Sequence, residues 1–108
     1  MGAVHWRSPE YLTGGKPSRA SDVYSFAMCI IEVISGDIPW GRQMIAAAVK
    51  FQLRGGKTPN LPLSMNAKQH HLIKLMTKNE PSERVRMGFV VDKLSEIARE
   101  ESSGEVAP

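Results

Sequence analysis

The pattern of apolar and polar residues predicts one strongly hydrophobic helix in the first third of the chain. Between Ser21 and Gly36, apolar residues occupy nearly the whole circumference of a helix with 3.6 residues per turn, at positions 23, 24, 26, 27, 28, 30, 31, 33 and 34. A helix that is apolar all round is expected to be buried on all sides. Ser21 and Asp22 are residue types that cap helix starts, and Gly36 suits a helix end, so we expect a buried axis helix over 22–35.

Three later stretches have apolar residues at partial helical spacing and predict helices over 42–54, 66–78 and 88–100. Residues 1–7 are predicted to be extended, and Ser8 is expected to cap a single helical turn that begins at Pro9. The connector over 58–63 contains two prolines and is expected on the surface. Because strand-like alternation is scarce, the predicted fold class is mainly α, with one domain over 1–100 and a disordered polar tail over 101–108.

Composition narrows the function classes. The formal net charge is only +3, and the basic residues are scattered, so nucleic-acid binding is not expected. The predicted axis helix is shorter than the roughly 20 apolar residues that span a bilayer, so no membrane partner is expected either. Cys29 is the one cysteine and is interpreted as a small buried residue of that helix. With no intrachain disulfide possible, we expect a reducing, cytoplasmic location.

Two features that look like chemical sites are better explained as ordinary structure. The run Arg54-Gly55-Gly56-Lys57-Thr58 ends like a phosphate-binding loop, but Phe51 stands where the first glycine is needed and Pro59 blocks the helix that should follow. His70 and His71 are adjacent, so on a helix they point about 100° apart and do not form a chelating pair. With His5 far away in sequence, no metal site is predicted.

Four short motifs occur in order along the chain: Trp6-Arg7-Ser8-Pro9-Glu10, Ser21-Asp22-Val23-Tyr24-Ser25-Phe26-Ala27, Ile38-Pro39-Trp40 and Glu80-Pro81-Ser82-Glu83-Arg84. Together they resemble the second half of the C-lobe of a eukaryotic protein kinase, in the tyrosine-kinase-like (TKL) serine/threonine group, over about residues 2–100. The resemblance implies a kinase C-lobe helical subdomain, an incomplete kinase fold whose helices correspond to the F, G, H and I helices of that family.

The resemblance also implies roles for particular residues, and all of these roles are structural or substrate-positioning. Glu10 and Arg84 match the partners of a buried ion pair that ties the end of the activation segment to the helical core. Asp22 matches the aspartate that accepts hydrogen bonds from the catalytic loop, and Trp40 matches an aromatic residue that packs after the F helix. The loop that positions the peptide substrate corresponds to Ala3, Val4, His5 and Trp6.

Several positions depart from the family pattern. Ala3 replaces a threonine that in serine/threonine kinases contacts the catalytic aspartate and lysine, which puts positioning of the substrate hydroxyl in doubt. Ala27 replaces the glycine after Phe26, and Val85 replaces the usual proline of the last motif. The other departures are conservative in size or lie at positions expected on the surface.

The chain lacks the kinase motifs that carry out phosphoryl transfer, namely the glycine-rich loop, the nucleotide lysine, the H-R-D base and the D-F-G metal ligand. We therefore expect no catalytic residues, no metal or cofactor site and no kinase activity in this chain alone. The expected parent is a longer kinase that uses ATP and magnesium to phosphorylate Ser/Thr in signal transduction, and its partners are protein substrates or the other kinase half. The alternative is a stand-alone interaction or scaffold module. The sequence favours a fragment, because Val23, Phe26 and Ile30 are still apolar on a helix face that the catalytic loop would cover.

Overall fold

The computed structural model describes the backbone of residues 3–106 and the side chains of residues 4–101, and this part of the chain contains helices and no strand. Four α-helices follow one another: α1 (Arg19–Ser35), α2 (Ala46–Arg54), α3 (Ala67–Met76) and α4 (Met87–Val106). Three short 3-10 turns accompany them, at Ala3–Trp6, Pro9–Thr13 and Pro81–Glu83. The mainly α fold class is confirmed.

The start of α1 differs from the prediction, because Ser18 and not Ser21 or Asp22 caps it. The Ser18 hydroxyl accepts a hydrogen bond from the Ser21 amide at 3.1 Å, and the Ser21 hydroxyl lies 2.7 Å from the Ser18 amide, which donates to it. This reciprocal capping box satisfies two amides of the first turn and begins the helix three residues early. At the other end, Gly36 has φ +75° and closes α1 as predicted.

The expectation that α1 is buried on all sides is wrong. One face, formed by Val23, Tyr24, Ala27, Met28 and Ile31, lies in the core. The opposite face contains Phe26 with 36% of its surface exposed and Val33 with 82% exposed. Cys29 is also exposed, which corrects its interpretation as a core residue. The described elements pack on one side of α1 only, so an apolar sequence did not ensure burial.

The bounds of the other helices follow the predicted pattern with smaller changes. Helix α2 begins at Ala46 and not at 42, because Gly41 adopts φ +87° and residues 42–44 form a turn before it. Asn66 caps α3 through a second capping box with Gln69, and α3 ends at Met76, before the predicted 78. Residues 55–58 form the predicted turn and connector after α2, with no helix beginning at Lys57.

Two terminal predictions also need correction. The predicted extended start is a 3-10 turn over Ala3–Trp6, because the Arg7 amide donates to the Val4 carbonyl and Val4 enters the core. Helix α4 continues to Val106, where the sequence predicted a disordered tail from residue 101; Lys68 of α3 pairs with Glu100 and Gln69 contacts Glu101, which holds this end against α3. Residues 1–2 and 107–108 lie outside the described part of the chain.

The core is one cluster of buried side chains to which all four helices contribute; α3 packs against both α1 and α4, and α2 packs against the first two 3-10 turns. Its fully buried side chains include Tyr24, Met28, Leu53, Met76 and Val90, one or more from each helix. Val4 from the first 3-10 turn belongs to the same cluster. The first 3-10 turn and the Pro81–Glu83 turn both pack against α1, and they place the residues of the candidate site.

Candidate functional site

The centre of the candidate site is an ion pair between residues 74 positions apart, Glu10 and Arg84. The two terminal nitrogens of Arg84 each donate a hydrogen bond to one carboxylate oxygen of Glu10, and both distances are 2.8 Å. The Arg84 side chain is fully buried, whereas the Glu10 side chain keeps 20% exposure. Two parallel bonds between a guanidinium and a carboxylate fix both orientation and distance. The pair therefore joins the Pro9–Thr13 turn to the segment before α4.

Arg84 also binds three backbone carbonyls, those of Ala20 at 3.0 Å, Lys78 at 2.8 Å and Asn79 at 3.3 Å. A guanidinium has five N–H donors, and here five acceptors surround them. This is the arrangement in which a buried cation is tolerated, since neither its charge nor its donors are left unmatched. The carbonyls connect the start of α1 and the end of α3 to the same side chain.

The surroundings of Glu10 change the pKa of its carboxyl group. Partial burial would by itself raise the pKa of the Glu10 carboxyl, but the hydrogen bonds and charge of Arg84, together with hydrogen bonds from the Glu10 backbone amide and the Ser8 side chain, lower that pKa below its ordinary value. Gly15 approaches closely, because its amide donates to the Glu10 carbonyl at 3.0 Å. A Cβ at position 15 would lie 2.8 Å from that oxygen, so the position requires glycine.

Tyr24 lies beneath the pair, with the Arg84 guanidinium carbon 4.9 Å from the centre of its ring. Its hydroxyl is buried and has no hydrogen-bond partner among the described residues. Burial raises the pKa of Tyr24 to about 12, an effect that the charge of Arg84 opposes. The ring therefore serves as a neutral packing surface for the cation.

The first 3-10 turn, which holds the predicted substrate-positioning residues, is attached to α1 and to the segment before α2. The Trp6 indole donates to the Glu32 carboxylate at 3.0 Å, and the Ser25 hydroxyl donates to the Trp6 carbonyl at 2.9 Å. His5 lies 2.7 Å from the Met44 carbonyl through its Nε2 atom. Val4 is buried, and the side chain of Ala3 lies outside the described part.

Asp22 and Trp40 do not join the ion pair. Asp22 is exposed in the first turn of α1 and makes no side-chain hydrogen bond within the described residues. Trp40 is half-buried after α1, packs against the core and has φ +74°, which is unusual for a residue with a side chain. Its indole nitrogen is buried without a described partner.

Side chains that could ligate a metal are dispersed over the described residues. No group of three or more His, Cys, Asp or Glu side chains comes together in the part of the chain that the structure describes. His70 and His71 follow each other on α3, and His5 is held by a backbone carbonyl.

The comparison with protein families decides the identity of the fold. Residues 1–94 match the model of the family described as protein tyrosine and serine/threonine kinase. The chain belongs to this protein kinase family. The match extends from the first 3-10 turn into α4 and includes both Glu10 and Arg84, so the all-helical fold is a helical portion of a kinase C-lobe.

Curated relatives are serine/threonine kinases. Mitogen-activated protein kinase kinase kinase A of Dictyostelium discoideum is 29% identical over 85 residues, which cover 78% of this chain and 9% of the relative. A probable serine/threonine-protein kinase of the same organism is 33% identical over 94 residues, covering 86% and 6%. Serine/threonine-protein kinase CTR1 of Arabidopsis thaliana is 29% identical over 101 residues, covering 91% and 12%. The chain thus spans only a small part of each relative.

Sequence reasoning missed several residues that hold this kinase segment together. Glu32 and Ser25 attach Trp6 to α1, and Gly15 permits the approach of its loop to Glu10. Glu32 carried a signal, since it is a lone acid in an otherwise apolar stretch of α1.

Within the described residues, no helix is both long enough and apolar enough to cross a membrane.

Proposed function

We propose that this chain is the C-terminal half of the C-lobe of a TKL-type kinase domain, whose parent protein phosphorylates Ser/Thr hydroxyls with ATP and magnesium in cytoplasmic signal transduction. The observation that carries the proposal is the buried, bidentate pair between Glu10 and Arg84 within a family match over residues 1–94. The serine/threonine kinase names of the relatives support the proposed reaction.

In this proposal the chain supplies support and substrate positioning, and the chemistry belongs to the rest of the parent domain. The turn over Ala3–Trp6 is the proposed contact with a protein substrate. Its bonds to Glu32, Ser25 and the Met44 carbonyl restrict its position relative to α1 and α2. A restricted loop lowers the entropy lost when a peptide is oriented for reaction, which is how a positioning element contributes to rate.

The first test is the size and activity of the native product. An antibody against residues 57–80 would be used on cell extract, and the captured protein incubated with labelled MgATP and a general Ser/Thr substrate protein. We expect a band much larger than 11.9 kDa and magnesium-dependent transfer of label to Ser or Thr. A stable band near 11.9 kDa without transfer would contradict the proposal and favour the alternative, a stand-alone interaction module.

The second test concerns nucleotide binding by the 108-residue chain itself. Calorimetric titration with MgATP is expected to give no binding heat, because the chain lacks the glycine-rich loop and the nucleotide lysine of the family and no group of three or more metal-ligating side chains comes together in the described residues. A micromolar, magnesium-dependent affinity would overturn the assignment of the nucleotide site to the rest of the parent. Titration with ATP in the presence of a chelator is the control for non-specific binding to basic residues.

A further inference from the structure

The acidic residues of the chain are distributed unevenly. Residues 38–79 contain seven of the fourteen lysines and arginines and no aspartate or glutamate, so all eleven acidic residues lie outside this stretch. It forms α2, the connector after it and α3. The basic residues are scattered along the whole chain, but no acidic residue lies in these consecutive elements. All of their Asp, Glu, Lys and Arg positions are therefore positively charged.

A groove with a volume of about 610 Å³ lies between the connector and α3. Its apolar lining includes Leu61, Ile73 and Leu63, the last of which is fully exposed. Lys74 and His70 of α3 line the same groove. Volumes of 300 to 1,000 Å³, about this size, are typical of sites that take up a small ligand or a few side chains. We call this the connector groove.

The cations around the connector groove are available to a partner. Lys74 lines the groove itself, the exposed Lys78 follows the lining residue Thr77, and the exposed Lys57 precedes Thr58 and lines the neighbouring cavity beside Trp40. Among the described residues, no ion pair within 4.0 Å involves Lys57, Lys74 or Lys78, whereas Lys68 of the same helix α3 is paired with Glu100 of α4. The positive charge near the connector groove is therefore not neutralised by the chain itself.

We propose that the connector groove docks an acidic segment of a partner protein. One or two apolar side chains of that segment occupy the surface around Leu61 and Leu63, and a carboxylate faces Lys74, while the neighbouring Lys57 and Lys78 add positive charge. An apolar anchor surrounded by complementary charge is the usual anatomy of such interfaces. The inference goes beyond the proposed phosphorylation and does not depend on it.

The lining of the connector groove favours a protein segment over other anionic partners. Helices that bind membranes present a continuous apolar face with basic residues beside it, whereas the lining here is interrupted by the polar residues Thr58, Asn60 and His70. Single-stranded nucleic acid is bound by aromatic side chains on which bases stack, and no Phe, Tyr or Trp lines this groove. An extended or helical peptide supplies both the apolar side chain and the carboxylates.

The test measures binding of a fluorescein-labelled synthetic peptide, with glutamates flanking two leucines, to the full 108-residue chain by fluorescence anisotropy. We expect binding that weakens strongly between about 50 and about 300 mM salt, since screening shortens the range of surface charges. A peptide with glutamine at every glutamate position is expected not to bind. Equal binding of the glutamine peptide would overturn the proposed role of charge.

Two groove variants, each with a matched control, locate the binding site. Lys74→Glu and Leu63→Ala are expected to weaken peptide binding at least about fivefold, because both remove an interaction at the docking surface. Lys16→Glu makes the same change in net charge elsewhere, and Val33→Ala shortens an exposed apolar side chain on α1; both are expected to bind within about twofold of the parent chain. All four positions are exposed, so circular dichroism should be unchanged. Equal effects of groove and control variants would overturn the proposal.

Two further probes test the competing occupants. Vesicles of phosphatidylserine and phosphatidylcholine, and a single-stranded oligothymidine, are each mixed with the chain under the same salt conditions. We expect neither to bind with a dependence on Lys74 and Leu63. If either probe binds more tightly than the acidic peptide and is lost in both groove variants, the connector groove is a lipid or nucleic-acid site and the proposal is wrong.

Discussion

At the scale of single residues, Arg84 organises the candidate site because its donors reach three segments of the chain. It bonds to Glu10, to Ala20 at the start of α1 and to Lys78 and Asn79 after α3. Its guanidinium also lies over Tyr24. A buried charge is costly unless it is paired and hydrogen-bonded, so this side chain depends on all of its partners being in place.

Removing Glu10 is expected to destabilise the chain substantially. Glu10→Ala leaves the fully buried Arg84 charge unpaired, and we expect a loss of about 3 kcal/mol, near the lower end for buried pairs because Glu10 is partly exposed. The measurement is urea unfolding followed by circular dichroism, with an osmolyte that stabilises the folded state in all variants. Arg42→Ala, which breaks the exposed pair with Asp37, is the control and is expected to have no measurable effect.

The Glu10–Arg84 pair predicts that the free energy of unfolding decreases at acid pH. Because the pKa of Glu10 is lowered in the folded state, its contribution is complete above the ordinary glutamate value of about 4.3 and is lost as pH falls through the lower folded value. We expect the urea midpoint to fall more between about pH 6 and about pH 3 in the parent chain than in Glu10→Gln. Parallel curves for the two proteins would show that the pair does not contribute.

Tyr24 predicts that the free energy of unfolding also decreases at alkaline pH. Its pKa is raised to about 12 by burial, so its contribution is present below the ordinary value of about 10 and is lost as pH rises through 12. Tyr24→Phe removes a buried hydroxyl without a described partner, and we expect unchanged or slightly higher stability at neutral pH and a smaller alkaline loss. Tyr11→Phe, at an exposed tyrosine, should leave the alkaline curve unaltered. A clear loss at neutral pH in Tyr24→Phe would mean that the hydroxyl has a partner.

At the scale of elements, side-chain capping stabilises two of the helices, α1 and α3, in addition to their apolar packing. Both α1 and α3 begin with reciprocal capping boxes, from Ser18 to Ser21 and from Asn66 to Gln69. The capping box of α1 also affects the candidate site. It orders the first turn of α1, and that turn contains the Ala20 carbonyl to which Arg84 donates a hydrogen bond. The cap of α1 therefore supports the site as well as the helix.

The position of the α1 cap can be tested by mutating Ser18, which caps α1 in the structure, and Asp22, which the sequence suggested as a cap. Ser18→Ala is expected to cost about 1 kcal/mol, since it removes the acceptor for the Ser21 amide. Asp22→Ala is expected to cost clearly less, because Asp22 lies inside α1 and contributes only through the helix dipole. Urea unfolding is the measurement, with Ser95→Ala in the exposed middle of α4 as the control. The reverse order of the two losses would place the cap at Asp22.

At the scale of the whole molecule, the chain leaves one side of its central helix uncovered. Phe26 and Val33 of α1 are exposed, whereas residues on the opposite face are buried. The radius of gyration is 14.6 Å, compared with about 13 Å for a compact domain of about 100 residues. Both observations are expected for part of a domain in which the described helices cover only some of the apolar surface of α1.

The uncovered side predicts the behaviour of the isolated chain. We expect marginal stability, binding of a dye that reports exposed apolar surface, and a broad thermal transition. Replacing Phe26 and Val33 together by glutamine should reduce dye binding without lowering helix content, because neither side chain belongs to the described core. The paired control is the same replacement at Ala27 and Met28, which lie in the core and should unfold the chain. A sharp, cooperative, monomeric transition with no dye binding would contradict this prediction.

The sequence by itself determined that the chain is helical and where its four helices lie, because apolar spacing and glycine or proline breaks are local properties of the chain. Its motifs also indicated the kinase family, which the family match over residues 1–94 confirmed. The tertiary structure alone decided which face of α1 is buried, that Cys29 is exposed and that Ser18 is the cap. Those features depend on which elements pack together, and the same is true of the bonds from Trp6 to Glu32 and from Arg84 to distant carbonyls. A linear pattern records which residues can be buried, and only packing determines which of them are.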